Sequence, residues 1–413
     1  MRTLMVCAIA TLTLGVCGLC SAGREAALSE FGTAGRGEDD TAVLQRALII
    51  SAARGWTLRI PAPPRPYRVR PLKIPSNTSL VLEKGVIIQA VPGFRTNECL
   101  LNLDNVTNVS ITGYGATLAM PKAEYTEGEY RHALAIHGSA NVTIRGLACT
   151  NSGGDGIYIS GGDSKPYSEN IIIEDVSCNN NRRQGMSIIS AQNLLVRRCR
   201  FISTNGTAPE DGIDLEPNGP TDRLVNIRIE DCVTSGNKGD GICVSIGQLD
   251  NTSADVSITV LRNRDENSGG SGYMASGLEM GEKDVKGRVL IDRCSAERAG
   301  MYGAAAIFWE STGPLLTFRD LTVIDPNQSH SAIDNAATIV KRGGGAVGPM
   351  GGVHFLNPTI KSTDGKVDYY FTYHDWSQVG IGNVKFVGGT LAGAVHHPYG
   401  LFNDKEVTSV DVP

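Results

Sequence analysis

No block of Lys and Arg stands anywhere in this chain: its 38 basic residues are interspersed with 43 acidic ones, for a net charge of −5. A nucleic-acid-binding face needs a basic patch or stripe, so that class is excluded. Beyond residue 20 no apolar stretch approaches the ~18 residues a membrane span needs. Outside the N-terminal Cys17-Gly-Leu-Cys20, no C-x-x-C spacing occurs, which removes the common zinc frameworks. A Gly-Gly-x-Gly-x-Asp calcium repeat is also missing, and helical periodicity all but ends at Gly55. Gly113-Tyr-Gly115 lacks the strand–helix setting of a nucleotide loop, and Gly343-Gly-Gly345 reads as a turn.

What is present is a globular composition, with 41% hydrophobic and 20% charged residues. Glycine is abundant, 49 of 413 residues, as a fold with many tight turns requires. The first 23 residues read as an export signal: Arg2, an apolar Leu4–Leu19 stretch and small residues at Ser21-Ala22-Gly23. Val16 and Leu19 precede Cys17 and Cys20, where a lipid-anchor site would need a small residue. The expectation is a secreted or periplasmic protein without a membrane span.

A short phrase then recurs: Asn108-Val-Ser-Ile, Asn141-Val-Thr-Ile, Asn170-Ile-Ile-Ile, Asn193-Leu-Leu-Val and Asn226-Ile-Arg-Ile, at steps of 33, 29, 23 and 33 residues. Asp255-Val-Ser-Ile and Asn383-Val-Lys-Phe read as weaker echoes. Such a period signals a solenoid, whose repeats bury their apolar faces only by stacking. Strand signals separated by Gly, Asn and Pro turns make each repeat one coil of a parallel β-helix. Residues 24–60 read as a capping segment, with Asp40 as N-cap, Val43, Leu44, Ala47, Leu48 and Ser51 as one helix face, and Trp56–Ile60 as the first strand. Residues 61–395 form the β-helix and 396–413 a tail. The aromatic run Asp368–Trp376 reads as a cover for the far end or an overhang.

On this ruler Cys199, Cys232 and Cys294 share one inward position, and Cys149 and Cys178 another. They read as stacked buried thiols. The oxidising compartment offers Cys149–Cys178 and Cys199–Cys232 as disulfides instead, because in-register Cα atoms on adjacent coils lie about 4.8 Å apart.

Coils also begin alike at Asp155-Gly-Ile-Tyr-Ile-Ser, Gln184-Gly-Met-Ser-Ile-Ile, Asp211-Gly-Ile-Asp-Leu-Glu and Asp240-Gly-Ile-Cys-Val-Ser, with His132-Ala-Leu-Ala-Ile-His in the same frame. Strand alternation turns Ile157, Met186, Ile213 and Ile242 inward. It turns outward one row of Ala135, Tyr158, Ser187, Asp214 and Cys243, with Glu279 as a continuation, and a second of His137, Ser160, Ile189, Glu216 and Ser245. His132, Asp155, Gln184, Asp211 and Asp240 stand at the strand entrance.

Asp214 and Glu216 are the acid pair of these rows. Their Cα atoms are about 6.6–6.8 Å apart in a strand, and two carboxylates so placed can divide acid and base work. The spacing straddles the boundary between retaining and inverting glycosidases. Asp211 joins this site beside Asp214 and Arg183. Arg182 and Arg183 offer a fork for a uronate or sulfate, with Lys238, Tyr158 and His137 on the same face. Each has a plainer reading: solvated acids, solvated turn arginines, a turn-bonded histidine. Asp155 and Asp240 read as turn formers that bond their own backbone. Asp211 and Asp240 are candidate Ca²⁺ ligands, with no cofactor otherwise required.

The run Phe31-Gly-Thr…Asp39-Asp40-Thr41-x-x-Leu44-Gln45-x-Ala47 resembles the opening of the pectate lyase superfamily, particularly its rhamnogalacturonase and epimerase-like branch. The resemblance spans roughly residues 30 to 390 and implies a single-stranded right-handed β-helix with an N-terminal capping helix. The stretch from Arg182-Arg183-Gln184-Gly185 to Glu216-Pro217-Asn218 is similar to β-helix proteins of polysaccharide degraders and phage tailspikes, which implies a monomer or a homotrimer. The polygalacturonase Asn-Thr-Asp, Asp-Asp, Gly-His-Gly set and the epimerase Asp-Pro-His-Asp signature are absent. Three functions follow as expectations. The first is a hydrolase of an acidic polysaccharide using Asp214 and Glu216. The second is a lyase or C5-epimerase using Arg183, Lys238, Tyr158 and His137. The third is a glycan-binding surface protein without chemistry.

Overall fold

A computed structural model describes residues 24–277, 284–342, 350–375, 381–393 and 397–402. The export-signal stretch, Glu279 and the final residues lie outside them. The chain winds into a parallel β-solenoid of about 11 turns. Among the described residues it forms two sheets, of 23 and 12 strands. One helix, α1 (Thr41–Arg54), lies at the N-terminal end, burying Leu44, Ala47, Leu48, Ser51 and Ala52 and closing on Gly55 at φ 65°. Among the described residues no helix is long and apolar enough to cross a membrane.

The asparagine phrase is the corner of each coil. Asn108, Asn141, Asn170, Asn193 and Asn226 all have φ between 53° and 59°, a left-handed conformation that a short polar side chain tolerates. Each amide Nδ2 donates to the Oδ1 of the asparagine below, at 3.1 Å from Asn141 to Asn108 and 2.9 Å from Asn226 to Asn193. The ladder starts one coil earlier than the phrase does, at Asn77, which accepts from Asn108 at 3.1 Å. After each corner the aliphatics Val109, Val142, Ile171, Leu194 and Ile227 pair in register and are buried. Asp255 is not the next rung. Ile227 pairs with Ile258, so the position after Asn226 is Ser257, whose hydroxyl accepts the Asn226 N–H at 2.6 Å.

The seven described cysteines are free thiols, six of them buried. Cys149 and Cys178 are in-register neighbours. The second stack runs Cys199, Cys232, Asn263, Cys294: the Asn263 amide oxygen accepts the Cys232 N–H at 2.7 Å where the series of thiols is interrupted.

Two N-terminal expectations change. A strand at Glu25–Ala27 pairs with Thr57–Ile60, so the latter is not the first strand. Asp40 precedes α1, but its carboxylate accepts the N–H of Gly35 at 2.9 Å and of Arg68 at 3.2 Å, while Asp39 takes the Thr41 N–H. At the other end, Tyr369–Asp375 is no cover. It is a rung between Ala336–Arg342 and His397–Phe402, with Phe371 and Tyr373 buried. Strand structure therefore continues past residue 395.

Candidate active site

The smaller sheet carries the site. Its middle strands are β1 (Leu134–His137), β2 (Ile157–Ser160), β3 (Met186–Ile188), β4 (Ile213–Leu215), β5 (Ile242–Ser245) and β6 (Tyr273–Ser276). The register sets Ala135, Tyr158, Ser187, Asp214 and Cys243 side by side, one per strand. The next residue in that row is Met274, a correction to the expected Glu279, which lies outside the described residues. His137 and Ser160 begin the second row. Ile189 is buried at 4% exposure and does not line that row for solvent. Glu216 follows β4, its N–H bonded to Ile188 O at 3.2 Å.

Asp214 and Glu216 live in different surroundings. Asp214 is 2% exposed. Its Oδ2 accepts from Gln184 Nε2 at 2.8 Å, and its Oδ1 is buried without a hydrogen-bond donor. Burial, with the charges of Asp211 and Glu216 added, pushes the Asp214 carboxyl well above its ordinary range. The Glu216 side chain is 38% exposed and pairs with Arg183 Nη2 at 3.2 Å.

Arg183 is the hub. Its Nε lies 3.2 Å from Glu129 Oε2 and its Nη1 3.9 Å from Asp155 Oδ2, and Nη1 also donates to Ser187 Oγ at 3.4 Å. Burial disfavours its charge, but Asp155, Glu216, Asp214 and Glu129 outweigh that and hold the guanidinium protonated. Asp155 is fully buried, with the Ser187 hydroxyl and the Gln184 N–H acting on its carboxylate. Burial pushes it to about 7, against the opposing charge of Arg183. Beside it His132, also buried, accepts the Asp155 N–H at Nδ1 (2.9 Å) and is kept neutral by desolvation. Its ring stacks on Tyr158 at 4.5 Å and 12°, and Tyr130, 54% exposed, meets its edge at 6.0 Å. Burial also drives the Tyr158 phenol up.

The strand-entrance acids do not close their own turns. Along the entrance Gln184, Asp211 and Asp240 accept from the coil above: Gln184 Oε1 from Asp211 N–H (2.6 Å), Asp211 Oδ1 from Asp240 N–H (2.6 Å), Asp240 Oδ1 from Ser271 N–H. Asp211 is pushed well up by burial and by Asp240, and Asp240 to about 6 by burial. Donor atoms of Asp211, Asp240 and Cys243 lie within 4.8 Å of one another. Calcium takes 6–8 oxygen ligands, and this set offers a thiol and two carboxylates already capping backbone N–H groups, so it does not fit Ca²⁺.

Other expected binders are otherwise engaged. Arg182 is 9% exposed and donates to the carbonyls of Gly128 and Thr126 (3.0 Å), fastening the segment that carries Glu129 and Tyr130. Lys238 pairs with Glu210 at 2.8 Å rather than with the acid pair. His137 Nδ1 is 2.7 Å from Ser160 Oγ, and burial lowers its pKa. Glu129 and Tyr130 were not among the candidates, because they sit in an irregular stretch with no strand pattern.

A family profile described as "Right handed beta helix region" matches residues 104–278. The uncharacterized protein YclG of Bacillus subtilis (strain 168) is 25% identical over 212 residues, 45% of this chain and 36% of that one. The chain thus spans about a third of the length of the curated relatives it matches. Among solved structures, the mannuronan C-5 epimerase AlgE4 A-module of Azotobacter vinelandii superposes with a TM-score of 0.71 at 16% identity, covering 94% of this chain and 99% of that one. The family 28 exopolygalacturonase of Yersinia enterocolitica gives 0.60 at 14% identity, covering 93% and 79%. At these identities the likeness is one of fold.

Proposed function

We propose that this right-handed parallel β-helix of the pectate lyase-like superfamily is a carbohydrate-active enzyme that hydrolyses glycosidic bonds in the groove over β2–β5. The observation that carries the reading is the contrast within the acid pair. Asp214 is buried, and desolvation and its acidic neighbours push its carboxyl well above the ordinary range, whereas Glu216 is open to the groove and faces Arg183. Environments that push two carboxyls apart assign acid and base. Asp214 gives its proton to the glycosidic oxygen as the C1–O bond breaks. Glu216 accepts a proton from the water whose oxygen bonds to C1. Gln184 holds the Asp214 carboxyl in place, and the charges of Asp211 and Glu216 add to burial in favouring its protonated form.

A lyase or C5-epimerase is the second reading. The Tyr158–His132 stack beside Asp155 and Arg183 favours it, because it sets a phenol and an imidazole on the same face. A polysaccharide panel read by reducing ends and by ultraviolet absorbance separates the two. Reducing ends without unsaturated products are expected, and Asp214→Asn and Glu216→Gln should each lower turnover by about 10²–10⁴-fold. Turnover intact in both variants would refute the hydrolytic assignment. Ultraviolet-absorbing products would replace it with the lyase.

A further inference from the structure

The groove over the acid pair is itself acidic, and its cations are already engaged. Asp104 stands in register with His137 in the second row, and both Asp104 and Asp163 act on that histidine. Ser164 Oγ donates to Asn105 Oδ1 at 2.7 Å, which ties the Asp163 loop over the same strands. Asp222 acts on Tyr158 from the opposite loop. Asp104 and Asp163 are exposed, and the side chains of Glu129 and Glu216 are 45% and 38% exposed. Arg183 alone answers them at close range, and it is shared among Glu129, Asp155 and Glu216.

Two further cations border the groove among the described residues. Lys165 pairs with Glu169 and lies 4.3 Å over the Tyr167 ring. Arg223 also lies over that ring, at 4.0 Å, and donates to Gln192 at 2.7 Å. Arg182 is spent on loop carbonyls. Among the described residues a uronate carboxylate would therefore meet a surplus of like charge. Rejection of one charge class and attraction of the other is how a groove selects polymers.

A second, independent feature points to a sugar. Tyr130 offers a 54% exposed ring at the head of the Tyr130–His132–Tyr158 stack. Flat aromatic faces receive the apolar C–H face of a pyranose and, by their quadrupole, a nearby ammonium. Tyr158 is two rungs from Asp214 in the row, about 10 Å at the strand spacing, so the platform sits beside the bond to be cleaved rather than over it.

We propose that the polymer taken by this groove is cationic, a de-N-acetylated amino-sugar polysaccharide, with its ammonium groups facing Glu129, Asp104 and Asp163 and one ring on Tyr130. The proposal rests on the reading of the groove as a glycosidase site, and it replaces the acidic substrate expected from the sequence. The test measures binding and products separately on the full chain. Probes are polyglucosamine, its fully N-acetylated form, and polygalacturonate with and without CaCl₂.

Retention on polyglucosamine that falls with salt and is lost on N-acetylation is expected. Glu129→Gln and Asp163→Asn should each weaken it about 2- to 5-fold, the range of one exposed charge pair. Glu38→Gln, an exposed acid on the N-terminal segment, should not, and equal weakening there would reduce the binding to net charge and overturn the proposal. Tighter binding to polygalacturonate, alone or with calcium, overturns it and leaves hydrolysis standing. No binding to any probe overturns it as well. Binding to polyglucosamine with no product supports the charge assignment and sinks the catalytic reading instead.

Discussion

Two vertical stacks of polar side chains run up this solenoid, and they are built on opposite terms. On the larger sheet the asparagine ladder runs from Asn77, which accepts, to Asn226, which donates, and each asparagine between gives one amide proton and takes another. On the smaller sheet Asp155, Asp211, Asp214 and Asp240 gather, and acids can only accept when ionised and repel one another. One oxygen of Asp214 is left buried without a donor. The neutral ladder is a fastening. Burial pushes the carboxyls of the acidic cluster up, which is what the proposed acid–base reading requires of them.

Asp214→Asn should separate the two stacks most sharply. The amide oxygen keeps the Gln184 bond, and its NH₂ group replaces the buried unpaired Oδ1 beside the Glu216 carboxylate. Turnover on any polymer the wild type cleaves should fall by two orders of magnitude or more, while stability at pH 8 rises by about 1–3 kcal/mol. Denaturant melts paired with a reducing-end assay check this. A variant that loses both activity and stability would make Asp214 a structural acid.

Asp265 tests whether a buried acid outside the groove behaves the same way. It points into the core between Thr234 and Ala296, accepts from Thr234 Oγ1 at 2.7 Å and Ser268 Oγ at 2.6 Å, and leaves Oδ2 without a donor. Burial pushes it to about 7, against the lowering effect of those two hydroxyls. The folded pKa lies above the unfolded one, so its contribution is fully present below about pH 4 and is lost as pH rises toward 7. Asp265→Asn removes that titration. Its melting midpoint should match the wild type near pH 4 and exceed it at pH 8, by the equivalent of a few kcal/mol at most. Parallel midpoints across the range would show that Asp265 stays ionised in the folded chain.

How far the sequence could be read follows from the same contrast. The asparagine period placed Ile157, Met186, Ile213 and Ile242 inward and set Tyr158, Ser187 and Asp214 in one row, as the register has them. Alternation is a local rule that survives any loop length. It did not place Ser257, because the coil after Asn226 returns with a different step and Asp255 offered a more familiar phrase. Asp155 was misjudged for another reason. Asp before Gly is a turn signal when considered alone, and only the neighbouring coils reveal that its side chain meets Arg183 and His132. Glu129 and Tyr130 were invisible, since Arg182 and Arg131 hold their segment by backbone carbonyls, a contact without any sequence period.

The ladder itself gives the smallest and cleanest test. Asn170 sits mid-stack at φ 55°, donating to Asn141 and accepting from Asn193. Asn170→Ala removes both bonds and puts a Cβ residue without a local polar partner in a left-handed conformation, at an expected cost of about 1–2 kcal/mol. Asn170→Gly removes the same bonds but relieves the backbone, so it should cost about 1 kcal/mol or less. The difference between the variants measures the conformation, and the glycine loss alone measures the amide ladder. Neither should alter turnover once corrected for the folded fraction. If Asn170→Gly matched the wild type in stability, the stacked amides would contribute nothing net, and the corners would be held by backbone preference and the Val142–Ile171–Leu194 stack beneath them.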